Sequence, residues 1–245
     1  MIERRETFLV SGEELGPGGE WLPEKFQKRL VDLSVAHSQT LGCGWNAMRQ
    51  AGAYWALSQW EARVIRHPTP GEPLSILTWP SPAQSAGIWR NYRVDSASGQ
   101  PIAEAMALWA IVDIRTGKPR RCDTFPLWDS SLPYRFDRIW AKDRERSVEP
   151  IRSPESAVRR LIGNSDIDAN GHVNNLRYLA YVQEALTALG DPWEKYDAYR
   201  IQYRSPLFAG ELLILSLVRS EGRRELIGSV DRGGSPVTAF FCRIE

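Results

Sequence analysis

The sequence predicts an α+β fold made twice over: two tandem domains, each an antiparallel sheet wrapped around one central helix. Three observations predict it. The chain repeats itself faintly. Pro70-Gly71-Glu72-Pro73-Leu74-Ser75-Ile76 resembles Ala209-Gly210-Glu211-Leu212-Leu213-Ile214-Leu215, and Val94-Asp95 with its turn at Ser98-Gly99-Gln100-Pro101 resembles Val230-Asp231 with Gly233-Gly234-Ser235-Pro236. Each half reads one helix first and strands afterwards. A charge-rich stretch that ends in Pro150 separates the halves as a linker would.

In the first half, Phe26, Leu30, Val31, Leu33 and Val35 set a helical pattern from Pro23 to about Leu41. Strands follow at Leu74–Trp79, Trp89–Val94 and Ile102–Ile114, the last nearly all apolar, as a strand buried on both faces is. In the second half, Leu176, Leu179, Ala180, Val182 and Leu186 mark a helix from Asn174 to about Leu189, ended by Gly190 and Pro192. Strands follow at Ala198–Arg204, Glu211–Arg219, Glu225–Val230 and Val237–Ile244, with Gly233-Gly234 as a hairpin turn. The boundaries expected are a first domain over 1–133, a charged linker over 134–150 with Trp140 able to dock, and a second domain over 151–245. A helix wrapped by such a sheet is the hotdog arrangement.

Composition narrows the function classes. The 245 residues are 42% hydrophobic and 25% charged, ordinary for a globular protein of one or two domains. Lys and Arg number 31 against 30 Asp and Glu, which excludes a grossly basic nucleic-acid binder. No apolar run approaches a membrane span, and the acidic start lacks a signal-peptide core. Three widely spaced cysteines with no Cys-x-x-Cys argue against a disulfide framework or structural zinc and fit a reducing cytoplasm. Ten tryptophans point to large buried apolar surfaces or a lined cavity.

The densest cluster of reactive groups is Asp166-Ile167-Asp168-Ala169-Asn170-Gly171-His172-Val173-Asn174-Asn175, just before the second helix. The composition serves a plain helix cap, with Asn174 or Asn175 as the capping residue. The spacing also serves chemistry. In an extended loop, Asp168, Asn170 and His172 alternate onto one side. Asp168 can then activate water or attack directly, His172 can polarise a carbonyl or carry a proton, and Asn170 can orient either one. Unpaired helix N–H groups beyond them can hold an oxyanion.

The run from Asp166 to Ala185 resembles the signature of hotdog thioesterases, and most closely of the acyl-acyl-carrier-protein (acyl-ACP) thioesterases. Trp60-Glu-Ala-Arg63, Pro70-Gly71-Glu72, Thr78-Trp79, Arg90-Asn-Tyr-Arg-Val-Asp95, Gly99 and Leu108-Trp109 extend the likeness through the first half. The resemblance implies hydrolysis of fatty acyl-ACP to free fatty acid and the carrier, with Asp168, Asn170 and His172 as catalytic residues. It implies substrate contacts from Val173, Asn174, Asn175 and Tyr178, and a first domain that shapes the acyl pocket. The partner implied is the acyl carrier protein with its phosphopantetheine-linked chain. No metal or redox cofactor, nucleic acid or membrane is implied, and the chain is expected as a monomer or homodimer. An acyl-CoA thioesterase and a non-catalytic acyl-binding protein are the alternatives. One departure stands out. Plant members carry a Glu-Cys pair soon after Tyr-Arg, where this chain has Tyr203-Arg204-Ser205-Pro206-Leu207.

Other reactive residues read as structural. Glu184, over three helical turns beyond His172, is expected in a buried hydrogen bond. Tyr178 and Tyr181 read as core or pocket wall, His37 as a helix residue, His67 as a loop residue and Cys43 as a small buried cysteine. Glu211 reads as a turn residue, because its Gly-Glu context recurs at Gly71-Glu72. The pairs Arg120-Arg121, Arg159-Arg160 and Arg223-Arg224 are each able to meet an acidic partner.

Overall fold

A computed structural model describes residues 2–137, 139–140, 156–220 and 223–245. The chain forms two compact units, 1–141 and 142–245. In the first, strand β1 (Arg4–Leu9) precedes helices α1 (Pro23–Thr40) and α2 (Trp45–Gln50), then β2 (Ala53–Val64), β3 (Pro73–Pro80), β4 (Ile88–Ser96), β5 (Pro101–Asp113) and the short β6 (Pro119–Arg120). In the second, β7 (Ser156–Leu161) precedes helix α3 (Arg177–Ala188), then β8 (Ala198–Tyr203), β9 (Leu212–Ser220), β10 (Arg223–Arg232) and β11 (Ser235–Ile244).

The two sheets have the same plan. Strands of the first run β1-β3-β4-β5-β2, with β6 on β5; strands of the second run β7-β9-β10-β11-β8. All the pairings within each are antiparallel. The α+β class therefore holds in both halves, while the helix-first order is corrected: an edge strand, β1 or β7, precedes the helix in each. Each central helix is amphipathic at the 3.6-residue period, with Phe26, Leu30, Val31 and Leu33 buried on α1 and Tyr178, Leu179, Val182, Ala185 and Leu186 on α3. The first core is aromatic: Phe26 meets Trp21 at 4.6 Å between ring centroids, and Trp60 meets Tyr92 at 5.6 Å. Gly233 and Gly234, at φ +64° and +80°, make the tight β10–β11 turn, a backbone that other residues resist.

The repeated Gly-Glu motif does one job twice. Gly71 (φ +79°) donates to the Val10 carbonyl at 2.8 Å, and Gly210 (φ +84°) donates to the Ile162 carbonyl at 2.9 Å. The Val10 and Ile162 N–H groups return bonds to the Glu72 and Glu211 carbonyls at 3.1 and 2.9 Å. Glu72 accepts from the Thr69 N–H at 3.0 Å and pairs with Arg66; Glu211 accepts from the Phe208 N–H at 2.9 Å and pairs with Arg232 at 2.7 Å. Both carboxylates thus fold back onto a tight turn at the mouth of an edge pairing, which is a structural role and the one expected for Glu211.

Of the stretch expected as a linker, residues 138 and 141–150 lie outside the described residues. The remainder sits on the first unit. Tyr134 stacks on Trp128 at 5.0 Å, Arg135 pairs with Glu3, the Ile139 N–H donates to Asn91 Oδ1 at 3.2 Å, and the Trp140 N–H reaches Met106 Sδ at 3.4 Å. Among the described residues, no helix is long and apolar enough to cross a membrane.

The Glu72 turn has a pH signature. Hydrogen bonds from Arg66 and the Thr69 N–H hold its carboxyl down at about 2, against an ordinary 4.5. A carboxyl whose folded pKa is depressed contributes stability that is complete above its unfolded pKa and is lost as pH falls through the folded one. The stability gap between wild type and Glu72→Gln, measured by urea denaturation, is therefore expected to be constant above about pH 5 and to close between pH 4.5 and 2. A gap that persists undiminished at pH 2 counts against the ion pair.

Candidate active site

Beyond β7 the chain makes a single 3-10 turn at Asn164–Asp166 and enters a hairpin closed by an antiparallel bridge between Ile167 and Val173. Inside the bridge, the Asp168 N–H donates to the His172 carbonyl at 2.9 Å and the Gly171 N–H donates to the Asp168 carbonyl at 3.0 Å. Those bonds define a three-residue loop, Ala169-Asn170-Gly171, whose last position needs a left-handed backbone; Gly171 has φ +84°. The loop is therefore a tight turn, which corrects the extended run expected from the alternation of Asp168, Asn170 and His172. A tight turn wins because each of its bonds satisfies a backbone group that an extended loop leaves open. Asp168 and His172 become the closing pair of the hairpin, and residues opposite one another in such a pair project to one face.

Asn170 sits at the tip. Its N–H donates to Asp168 Oδ1 at 2.8 Å, an Asx-type turn, while its side-chain amide stands 3.5 Å from Oδ2. The Asp168 carboxylate is thereby aimed by the loop's own backbone. Asp168, Asn170 and His172 are all half-buried.

The hairpin is pinned at its base. The Asp166 carbonyl accepts from the Asn174 N–H at 2.9 Å, and its carboxylate accepts from Arg177 Nε at 2.8 Å and from the Gly163 N–H at 3.2 Å. Asp166 is 3% exposed. Burial works against its charge, yet the neighbouring Tyr181 hydroxyl, the Gly163 N–H and the Arg177 guanidinium hold its pKa below the ordinary range. On the other side, the Val173 N–H donates to the Leu207 carbonyl at 2.8 Å.

The start of α3 is three residues later than the pattern predicted. Asn174 is the reason: its Oδ1 accepts from the Leu176 N–H at 3.0 Å and its carbonyl from the Arg177 N–H at 2.9 Å, so 174–176 form a capped turn before the helix proper. These bonds occupy the N–H groups of Val173, Asn174, Leu176 and Arg177 and leave out that of Asn175. The Asn175 carbonyl is held by the Tyr203 hydroxyl at 3.1 Å. Tyr178 is buried edge-on against Tyr203 and Phe240, and burial raises its pKa.

The segment Ser205-Pro206-Leu207, which follows Tyr203-Arg204, has a structural role. Leu207 is fully buried, and Arg232 ties the segment down through Ser205 Oγ at 2.9 Å and the Pro206 carbonyl at 2.6 Å. Glu184 departs from expectation: its side chain is 57% exposed and pairs with Arg160 on β7 rather than lying in a buried bond. It stands three residues beyond the buried Tyr181, at the edge of that face, and meets the same Arg160 that covers the Tyr181 ring. Tyr181 is core, His67 Nδ1 accepts from the Trp21 N–H at 3.0 Å, and Cys43 is buried with its pKa raised by burial. Among the basic pairs, Arg121 holds Asp123, Arg160 holds Glu184, Arg223 holds Glu245 and Arg224 holds Asp191.

The first unit carries a twin of this hairpin. Leu15 and Trp21 form the bridge, the Gly16 N–H donates to the Glu20 carbonyl at 2.8 Å, and the Gly19 N–H donates to the Gly16 carbonyl at 3.0 Å with Gly19 at φ +83°. The Glu14 carbonyl accepts from the Leu22 N–H at 2.9 Å, as Asp166 does from Asn174, and Glu14 pairs with Arg29 as Asp166 does with Arg177. Gly16, Gly18 and Glu20 stand where Asp168, Asn170 and His172 stand in the second unit. The geometry is duplicated and the reactive groups are not. Glu20 is 4% exposed, and its carboxylate fills the place where a side chain on Gly16 would go: a Cβ there would lie 1.7 Å from Glu20 Oε1.

Two family models match the chain: the acyl-ACP thioesterase N-terminal domain over residues 5–124 and the acyl-ACP thioesterase C-terminal domain over residues 153–225. A chloroplastic acyl-[acyl-carrier-protein] hydrolase of Cuphea viscosissima is 25% identical over 215 residues, 83% of this chain and 52% of its own length. The chain spans about half the length of the curated relatives it matches. The 12:0-ACP thioesterase of Umbellularia californica superposes with a TM-score of 0.82 at 19% identity, covering 100% of this chain and 97% of its own. An acyl-ACP thioesterase of Bacteroides thetaiotaomicron gives 0.78 at 20%, covering 99% and 97%. These likenesses carry the tandem hotdog fold.

The pinning of the hairpin is testable by itself. Asp166→Asn leaves Arg177 without its carboxylate and is expected to cost about 1–3 kcal/mol in urea denaturation. Hydrogen exchange at the Asn174 N–H should speed up in step. Unchanged stability and protection would show that the Asp166–Arg177 pair holds nothing.

Proposed function

The chain belongs to the acyl-ACP thioesterase family, and from that membership we propose that it hydrolyses the thioester of fatty acyl-ACP, releasing free fatty acid and the carrier. The observation that carries the reading is the second unit's hairpin, which presents Asp168, Asn170 and His172 on one tight turn directly before a capped helix.

Asp168 takes the proton of a water that attacks the thioester carbonyl, or attacks it first and is released by water. Asn170 fixes the carboxylate through its own N–H. As the carbonyl oxygen becomes an oxyanion, it needs donors that are already in place. His172 supplies one. The Asn175 N–H, outside the cap's own bonds and held by the Tyr203 hydroxyl at its carbonyl, supplies another. The tetrahedral intermediate collapses with loss of the phosphopantetheine thiol. Val173, Asn174 and Tyr178 shape the approach to this point. The acid that plant relatives carry after Tyr-Arg has no counterpart at Ser205-Pro206-Leu207, so Asp168 does the acid–base work without it.

The first unit, whose hairpin lacks an acid, amide and imidazole in the matching positions, receives the acyl chain; Trp55, Trp109 and Trp128 give it an apolar wall. The acyl carrier protein is the partner. The three cysteines are buried thiols, in keeping with a reducing cytoplasm.

Wild type and Asp168→Asn are to be assayed on a panel of acyl-ACPs and the matching acyl-CoAs. Hydrolysis of acyl-ACP, falling by about 10²- to 10⁴-fold in the variant, is expected. A preference for acyl-CoA would replace the carrier. Binding without turnover would make the chain an acyl-binding protein.

A further inference from the structure

Asn175 lies between two pinned peptide groups. The one ahead of it offers the Asn174 carbonyl to the Arg177 N–H at 2.9 Å. The one behind it is held at both ends: the Leu176 N–H donates to Asn174 Oδ1 at 3.0 Å, and the Asn175 carbonyl accepts from the Tyr203 hydroxyl at 3.1 Å. A peptide unit is planar, so holding both ends fixes the backbone angles beside it. Tyr203 is the last residue of β8, in register with Phe240 on β11, and its ring packs edge-on against Tyr178 at 5.1 Å. The hydroxyl thus reaches the turn from the sheet, on a side chain held by packing.

The first unit shows what the same turn needs for folding alone. Its Leu22 N–H donates to the Glu14 carbonyl at 2.9 Å and its Lys25 N–H to the Leu22 carbonyl at 3.0 Å, matching the bonds from Asn174 to Asp166 and from Arg177 to Asn174. The residue that stands where Asn175 stands is then Pro23, which has no N–H. The turn therefore forms without a donor at this position. Its partner differs too. The N–H groups of Ile65 and Arg66 converge on the Ile102 carbonyl at 2.9 and 3.2 Å, as those of Arg204 and Ser205 converge on the Ala239 carbonyl at 2.8 and 3.1 Å. Val64, the last residue of β2, thus stands where Tyr203 stands and brings no hydroxyl. The unit that keeps the N–H keeps the hydroxyl that steadies it, and the unit with proline has neither.

We propose that Tyr203 is a positioning residue: its hydroxyl holds the Asn175 peptide so that the Asn175 N–H meets the thioester oxygen as that oxygen becomes an oxyanion. The inference rests on the hydrolase reading above. A donor already aimed needs no reorganisation when the charge develops, and a misaimed one loses much of its effect. Tyr203 acts through the peptide it holds.

Wild type, Tyr203→Phe, Asn175→Pro and the double variant are to be compared on the thioester that wild type turns over fastest. Tyr203→Phe is expected to lower kcat by about 10- to 100-fold with KM within about 3-fold, the pattern of an interaction made only in the transition state. Asn175→Pro removes the N–H where the first unit accommodates proline, and should lower kcat by about 10²- to 10³-fold. Adding Tyr203→Phe to it should change kcat by less than about 3-fold, because the hydroxyl then has no donor left to aim. Amide hydrogen exchange needs no turnover and decides the matter if the proline variant does not fold. In Tyr203→Phe the Leu176 N–H should exchange at least about 10-fold faster, with the Val173 and Asn174 N–H groups within about 3-fold of wild type. Full activity in Tyr203→Phe, a rise in KM in place of the fall in kcat, independent losses in the double variant, or unchanged exchange at Leu176 would each overturn the inference alone. A wild type that hydrolyses no thioester would overturn the hydrolase reading and this inference with it.

Discussion

A main-chain bond from the Asn174 N–H to the Asp166 carbonyl, 2.9 Å long, closes the loop on which the proposed chemistry depends. Everything nearby follows from that closure. It puts Asp166 under the first turn of α3, where its carboxylate meets Arg177. It sets the Ile167–Val173 bridge, and the bridge forces the three-residue turn that needs Gly171. The turn in turn aims the Asp168 carboxylate at the Asn170 N–H. A carboxylate placed by short-range backbone bonds in this way has little freedom left to lose, which is the physical content of preorganisation.

The same closure operates in the first unit, with Glu14, Leu22 and Arg29 in the matching roles. Two copies of one scaffold carry different side chains. The second unit keeps polar groups at the three outward positions of its hairpin. The first has glycine at two of them and a buried glutamate at the third, and invests instead in aromatic burial: nine of the ten tryptophans lie before residue 141. The difference between the units is thus written in side chains, while the backbone is held in common.

Much of this was legible in the sequence, and the exceptions have reasons. Helix α1, strands β3–β5 and β8–β11, and the Gly233-Gly234 turn announced themselves by period and by turn residues. Strand β2 did not, because its register shifts between Leu57 and Gln59 and the buried positions change phase there, from Ala53 and Leu57 to Trp60, Ala62 and Val64. Strands β1 and β7 lie at sheet edges, where Arg4, Arg5 and Glu6 or Arg159 and Arg160 mask any alternation. At the site, residue types singled out Asp168, Asn170 and His172, but spacing alone suggested an extended loop. The turn depended on bonds to Asp166 and Leu207, partners that no local pattern reveals. Asp166 did carry a signal, an acid just before the motif, which reads equally well as dipole matching at a helix start; Arg177, at the first position of α3, opposes the dipole and is held there by its pairing with Asp166.

Gly16 and Glu20 tie two positions of the first hairpin together. The Glu20 carboxylate occupies the volume that a side chain at position 16 would enter, so an aspartate there is accommodated only when the end of the glutamate swings out of its buried seat. What position 16 tolerates is therefore set by what sits at position 20, and the acid and imidazole of the second hairpin can be rebuilt in the first only by changing both residues together.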